Sequence, residues 1–318
     1  MVDYRIRTFL TLYEVMNYRR AAQRLQMSQP AVTQQIHALE REYGCRLFVY
    51  DGRRLHRTPQ ADQVAEYARV AVYNEQKMRR ELTRPSMVSI RMGATKTIGD
   101  FVIAGDLYRF LRRPDRTLEV TVDNTATLLR LLEQEKLDFA LVEGEFDKSR
   151  YGFLPFADAP FVGMCHHSHP FAGQTVEYAD LAHQSVILRE EGSGTRAIFE
   201  DALRGAGFSL DELGRVICVG SFSLIVRLVR ENLGISFAYE AVCRGQPDIA
   251  TFRLQGLSET RTFHFVYLKG TDAGDLIGEI FSSPLPRTAG VSGREKAPSV
   301  DEKPEIQYDK EEHPHATS

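Results

Sequence analysis

Residues 28–41 hold the first side chains whose types and spacing could do chemistry. Gln29, Thr33 and Gln34 bring amide and hydroxyl groups, His37 an imidazole and Arg41 a guanidinium. At 100° per residue, Pro30, Gln34, His37 and Arg41 share one side of a helix, with Thr33 on its flank. Val32, Ile36, Leu39 and Tyr43 fall on the opposite side and are expected to pack. Gln and Thr hydrogen-bond to base edges in the major groove of DNA, and the apolar surface of Pro30 suits a thymine methyl. Ser28, just before Gln29-Pro30, is expected to cap the helix. A polar face needs no partner to exist, so the neighbouring chain has to decide. Arg20 lies ahead of this helix and is a further candidate contact. Arg53, Arg54 and Arg57 sit at the tip and second strand of an expected hairpin around Asp51-Gly52, where arginines can grip phosphates beside a groove.

A second group of side chains suits a small ligand. Thr95-Lys96-Thr97, Asn124-Thr125, Gly192-Ser193-Gly194-Thr195-Arg196 and Ser221 each follow an expected strand and open an expected helix. In open α/β sheets, ligands sit beyond the carboxyl ends of strands. There, hydroxyls and free N–H groups at helix starts converge on an anion well. A Ser or Thr at a helix start is usually just a cap, but recurrence in register with the strand ends favours a site. Glu143 and Glu145 follow another strand end. A carboxylate facing the cleft would disfavour a bare dianion and favour a ligand carrying an amine. Either acid could instead be a solvated loop residue or a partner for Arg196.

Other chemistry is poorly supported. His166-His167-Ser168-His169 puts at most His167 and His169 on one strand face, with no acid or cysteine at ligand spacing, so loop or structural roles are expected. The four cysteines form no C-x-x-C pair, which argues against a zinc site or a disulfide scaffold. Gly192-Ser193-Gly194 has the wrong spacing for a nucleophile elbow, and there is no phosphate-binding P-loop and no H-E-x-x-H. No catalytic residue, metal or cofactor is assigned.

The elements that must position these groups are legible in the periodicity. Phe9, Tyr13 and Met16 mark an amphipathic helix before the pair of helices at 17–40. Ala61, Val64, Ala65, Ala68, Ala71, Val72 and Met78 mark a long helix over 60–83 that packs on its own domain or on a second copy, with Pro85-Ser86 as a hinge. From Val88 strands and helices alternate. Strands are expected at 88–93, 118–122, 139–142, 161–165, 185–188, 215–219, 235–238 and 263–268. Helices are expected at 100–111, 127–134, 195–205, 223–232 and 273–281. This is an α/β texture with open sheets. Residues 285–318 have little that could build a core and should be disordered.

Charge divides the chain in the same place. Residues 1–86 hold 15 Lys+Arg against 9 Asp+Glu, a net +6, so the remainder carries −9 of the overall −3. A basic module on an acidic body suits a DNA reader with a separate sensing domain. No apolar run is long enough to span a bilayer and no signal-peptide core is present, so no membrane partner and a cytoplasmic location are expected.

Residues 9–61 resemble the winged helix-turn-helix of LysR-type transcriptional regulators. The resemblance rests on Phe9, Ala21-Ala22, Leu25, Ser28-Gln29-Pro30-Ala31-Val32-Thr33, Ile36, Leu39-Glu40, Gly44, Leu47-Phe48, Arg54 and Thr58-Pro59-Gln60-Ala61. Val49-Tyr50 stands where such proteins carry an arginine, and Asp62 where they carry a glycine. The resemblance extends over about residues 1–284. It implies a DNA-binding domain at 1–59, a dimerisation helix and hinge at 60–86, and at 87–284 a two-subdomain effector domain of the type 2 periplasmic-binding-protein architecture. The implied partners are promoter DNA with an imperfect dyad, a small-molecule effector and further copies of the chain as a dimer or a dimer of dimers. RNA polymerase is a candidate partner. Thr95, Thr97, Ser193 and Thr195 would line the effector cleft, with Lys96, Asn124, Thr125, Glu143, Gly194 and Ser221 around them. The competing readings are a two-lobed solute-binding protein and an enzyme on the same fold; the basic front end argues against both.

Overall fold

The structure is a computed structural model that describes residues 2–83, 87–143, 145–257, 260–281 and 287–288. Each of the first three helices is capped at both ends. Helix α1 (Tyr4–Val15) opens at Asp3, whose carboxylate accepts from the Arg5 N–H, and closes at Met16 with φ 49°. Helix α2 (Tyr18–Leu25) opens at Asn17, which accepts from the Arg20 N–H, and closes at Gln26 with φ 54°. Helix α3 (Gln29–Tyr43) opens at Ser28, whose hydroxyl accepts from the Ala31 N–H at 3.3 Å. Gly44, at φ 67°, ends it. Left-handed residues at the C-caps turn the chain sharply enough to fold three helices into 40-odd residues.

Strands β1 (Phe48–Tyr50) and β2 (Leu55–Arg57) form the hairpin, with a four-residue connection rather than Asp51-Gly52 alone. Helix α4 (Pro59–Thr83) follows. Phe9, Leu12, Ala21, Val32, Ile36, Leu39 and Leu47 are sealed from solvent, and Ala61, Ala65, Ala68 and Val72 of α4 close the same core. Four of the seven residues of the small-residue stripe thus pack on their own domain. Tyr43 departs from the expected inward face. It is the last residue of α3, a turn beyond the buried Leu39, and its ring stays 43% exposed.

The α/β body begins with β3 (Val88–Ala94), α5 (Lys96–Phe101), α6 (Ala104–Leu111), β4 (Arg116–Val122), α7 (Thr125–Glu133) and β5 (Phe139–Val142). It continues with β6 (Tyr151–His166), β7 (Thr175–Val176), β8 (Ser185–Leu188), α8 (Gly194–Gly205), β9 (Arg215–Cys218) and α9 (Phe222–Arg230). It closes with β10 (Ile235–Tyr239), β11 (Ile249–Leu254), β12 (Thr260–Leu268) and α10 (Ala273–Ile280). Strands run in the order β4-β3-β5-β12-β6-β10-β8-β9. The outer pairs are parallel, while β12 is antiparallel to β5 and β6, and β10 is antiparallel to β6. Strand β6 joins the halves: Tyr151–Pro160 pairs with β12 in the first subdomain, and Phe161–Met164 with β10 in the second.

Three expectations about elements are corrected. The single helix at 100–111 is two, because the chain breaks at β-branched Val102-Ile103 so that Ile98 and Ile103 can both be buried. The strand at 161–165 is only the end of β6, whose first half was hidden by Pro155 and Pro160. Pro155 is tolerated because it lies at a register shift opposite His264. Strands β7 and β11 were not anticipated. Pro85-Ser86 lies outside the described residues. So does most of the tail at 285–318, apart from Arg287–Thr288, which pair in parallel with Ala157 and Asp158. Among the described residues, no helix is long and apolar enough to cross a membrane.

Candidate nucleic-acid interface and ligand cleft

Helix α3 presents Gln29, Pro30, Gln34 and His37 to solvent, with Thr33 partly covered. The Gln29 amide donates to the Thr33 hydroxyl at 3.0 Å, which orders the first turn. The adjacent glutamines separate cleanly. Gln35 accepts from the buried Thr8 hydroxyl of α1 at 2.6 Å, and Gln34 faces outward. Ser28 is exposed but its oxygen is engaged as the cap. Arg20 is exposed on α2.

The wing owes its shape to Asp51. Its carboxylate accepts from the Arg54 N–H at 2.7 Å and the Arg53 N–H at 2.8 Å, and meets His56 Nε2 at 2.7 Å. These bonds hold the Asp51 carboxyl down at about 2. Gly52, at φ 91°, makes the turn. The Arg53 and Arg54 side chains stay exposed. A groove of 870 Å³ between α2, the start of α3 and the wing is lined by Arg19, Gln29, Tyr50, Arg53 and Arg54 among others. Arg57 is corrected. Though the residue is exposed, its guanidinium is engaged: it donates to the Tyr13 carbonyl at 2.6 Å and lies 3.9 Å from the Tyr13 ring centre. Asp62, the second departure from the family pattern, accepts from the Tyr13 hydroxyl at 2.6 Å. Glu40 was recognised only as a matching residue. It is buried at the base of the wing and accepts from Leu47 N–H at 2.8 Å and Phe48 N–H at 3.3 Å. It therefore ties α3 to the hairpin.

The ends of the adjacent strands β3 and β5 meet the end of β8 through Lys96 and Glu190. Thr95 and Thr97 are buried; the Thr95 hydroxyl has no hydrogen-bond partner, and the Thr97 hydroxyl has only the Glu143 carboxyl beside it. Thr95 stands at the N-cap of α5 without capping it. Glu143 follows β5 with its Oε2 buried and unpaired. Burial pushes its carboxyl up to about 7, against the pull of the Thr97 hydroxyl and of Arg189. From the second subdomain, Ser193 and the buried Thr195 share a hydrogen bond of 2.8 Å, and Ser193 does not cap α8. Gly194 opens α8 in the open.

Lys96 reaches Glu190 at 3.1 Å, joining the two subdomains. Glu190 is also held by Arg189, at 2.7 Å and 2.8 Å, and its carboxyl falls to about 2. The buried Arg189 guanidinium stacks on Phe222 at 4.3 Å, and Phe222 meets Phe101 of the first subdomain edge-on. Arg189, Glu190 and Phe222 were missed. Arg189-Glu190 directly follow the Val186-Ile187-Leu188 strand, so the same strand-end logic could have found them.

Four expected residues stand apart. Asn124 caps α7, accepting from the Thr127 N–H at 2.9 Å, so its side chain has the bland role; Thr125 begins that helix half-buried. Ser221 is exposed and bonds Ser223. Glu145 is exposed. Arg196 pairs with Glu200 at 2.6 Å rather than with Glu143. The histidines are used locally: His166 with Ser168, and His169 with Gln184 and the Phe171 N–H. Among the described residues, no group of His, Cys, Asp or Glu is placed to hold a metal ion.

Comparison with known proteins meets this geometry at both ends. Residues 4–62 match the bacterial regulatory helix-turn-helix protein, lysR family, and residues 86–278 match the LysR substrate binding domain. The HTH-type transcriptional regulator CysL of Bacillus subtilis is 23% identical over 82% of this chain and 89% of its own length. A full-length OxyR variant from Pseudomonas aeruginosa superposes with a TM-score of 0.56 at 21% identity, covering 88% of this chain and 93% of that one. The Synechocystis PCC6803 CcmR regulatory domain, in complex with 2-PG, superposes with a TM-score of 0.55 at 19% identity, covering 62% of this chain and 99% of that one. A winged module with an open polar helix face, carried on a two-subdomain α/β body and matched at both domains, places this chain in the LysR family of helix-turn-helix transcriptional regulators.

Proposed function

We propose that α3 reads the major groove of a promoter through Gln34, with Gln29, Pro30, Thr33 and His37 beside it, and that Arg53, Arg54 and Arg20 hold the flanking phosphates. The observation that carries this reading is the division of labour on α3. Apart from the terminal Tyr43, the residues on its inner face are buried or bonded to α1 or the wing, and the outer polar face opens onto the groove shared with the wing arginines. The protein acts in the cytoplasm without catalysing a reaction. The exposed Tyr67, Ala71, Met78 and Leu82 on α4, with Tyr67 77% and Leu82 74% exposed, favour pairing with the same helix of a second copy. Pairs then assemble into a dimer of dimers that contacts RNA polymerase at its promoters. A small anionic or zwitterionic effector binds between the subdomains at Thr95, Thr97, Ser193 and Thr195. The 2-PG held by the CcmR neighbour supports a ligand on this architecture. Duplexes enriched from a random library by the full chain test the reading. Their affinity should fall steeply with salt, and removing Arg53 or Arg54 should lower the logarithmic salt slope by about one unit. A slope that neither substitution changes would remove the wing from the interface.

A further inference from the structure

A hydroxyl and a carboxylate oxygen end unsatisfied in the same place. Thr97 is 0% and Thr95 3% exposed; the Thr95 hydroxyl and the buried Oε2 of Glu143 have no hydrogen-bond partner, and the Thr97 hydroxyl has only the Glu143 carboxyl beside it. They come from two adjacent strand ends: Thr95 and Thr97 follow β3, and Glu143 follows β5, which pairs with β3 through Ala94 and Leu141. Buried polar atoms in native proteins are almost always paired. A hydroxyl can turn to donate or accept, but a carboxylate only accepts. With only the Thr97 hydroxyl beside it, the buried carboxylate still lacks a full set of donors.

The charges around it point the same way. Two cations reach the cleft, and both are bonded to Glu190: Lys96 at 3.1 Å, Arg189 at 2.7 Å and 2.8 Å. Arg189 attracts Glu143 but gives its Nε and Nη2 to Glu190 and its face to Phe222. With Glu143 ionised, two positive and two negative side chains balance, and among the described residues Glu143 has no cation in bonding contact, only the Thr97 hydroxyl and the more distant pull of Arg189. A bare dicarboxylate or a phosphate would bring more negative charge to that carboxylate. The Lys96–Glu190 pair, by contrast, is exposed on both sides, 41% and 37%, and such pairs are cheap to exchange.

We infer, building on the ligand cleft proposed above, that the effector is a zwitterion. Its ammonium donates to Glu143 and the Thr97 hydroxyl, and its carboxylate displaces Glu190 from Lys96. Exchanging that pair would break the link that joins the two subdomains across the cleft. An ammonium on Glu143 also draws the ionised form, so binding at neutral pH releases a proton to solvent.

Calorimetry on the full chain at pH 7 would test this. The ligands are the common L-amino acids, each beside the acid that lacks its α-amine: aspartate with succinate, glutamate with glutarate, alanine with propionate, and so on. At least one amino acid should bind roughly 10- to 100-fold tighter than its deaminated counterpart, the span of one charge-assisted hydrogen bond. Glu143→Gln should collapse that ratio by weakening the amino acid, and should abolish the proton release seen when buffers of different ionisation enthalpy are compared. Thr97→Val should weaken any ligand that binds. Deaminated acids that bind as well as their amino acids, or a ratio unmoved by Glu143→Gln, would overturn the zwitterion. If such acids lose affinity in Thr97→Val, the cleft stands and only its ligand class is wrong. If nothing in the series binds, or binding ignores Thr97→Val, the cleft reading falls and the zwitterion with it.

Discussion

Glu143 shows what one residue can reveal once its surroundings are known. Its sequence context allowed a cleft carboxylate, a solvated acid or a partner for Arg196. Its Oε2 is buried beside Thr97 and Arg196 is bound to Glu200, which speaks against the last two and supports the first as the reading proposed above. A carboxyl raised to about 7 when folded, against an ordinary value of 4.5, binds more protons folded than unfolded between those pH values. Its contribution to stability is therefore fullest below pH 4.5 and is lost as pH rises toward 7. Glu135 is raised to about 7 by burial in the same sense, but it is present in both proteins compared. Glu143→Gln should thus melt higher than wild type above pH 7, by an amount equivalent to about 1–3 kcal/mol, with the gap closing toward pH 5. Thermal melts at a series of pH values check this; a gap independent of pH would mean that Glu143 is already charged and solvated. The residues legible beforehand were those whose role is local. Ser28 reads as a cap and Gln34 as an outward side chain because one helix suffices to place them. Arg57 and Tyr43 misread because their fates depend on Tyr13 and on where α3 stops.

At the scale of elements, periodicity located most helices and strands, and failed where two elements share a constraint. Strand β6 contains two prolines that a lone strand would not tolerate; its partner β12 absorbs one with a register shift. The wing is short enough to need an anchor outside itself, and Glu40 supplies it. Glu40→Ala would strand the Leu47 and Phe48 N–H groups in a buried site and should cost about 2–4 kcal/mol of stability by chemical denaturation. A loss below a few tenths would mean that water replaces the carboxylate. Gln26 carries the opposite sign. It holds the left-handed C-cap of α2 at φ 54°, a conformation that glycine adopts without a Cβ penalty. Gln26→Gly should be neutral or stabilising by up to about 1 kcal/mol, although most substitutions at a tight turn destabilise. A clear loss would show that the Gln26 side chain contributes contacts of its own.

The whole molecule is tied together by α4. Its inner face completes the winged core through Ala61, Ala65, Ala68 and Val72. Farther along, Arg69 reaches Glu133 at 3.5 Å and Arg80 reaches the buried Asp138 at 3.4 Å in the α/β body. Gln134 of that body also donates to Glu14 of α1 at 2.5 Å. The first subdomain therefore has a bonded route to the helix that carries the reading head. This route was not legible in the sequence, because it depends on contacts between residues 58 to 120 positions apart. The charge asymmetry between residues 1–86 and the rest was legible, and it fits a basic reader on an acidic sensor. The central claim is that the outer face of α3 recognises base sequence, and Gln34 stands at the middle of that face. Fluorescence anisotropy of wild type and Gln34→Ala, on a library-selected duplex and on its scrambled version, tests it most directly. We expect a loss of about 1–3 kcal/mol on the selected duplex and almost none on the scrambled one. An equal loss on both duplexes, or none on either, would contradict it.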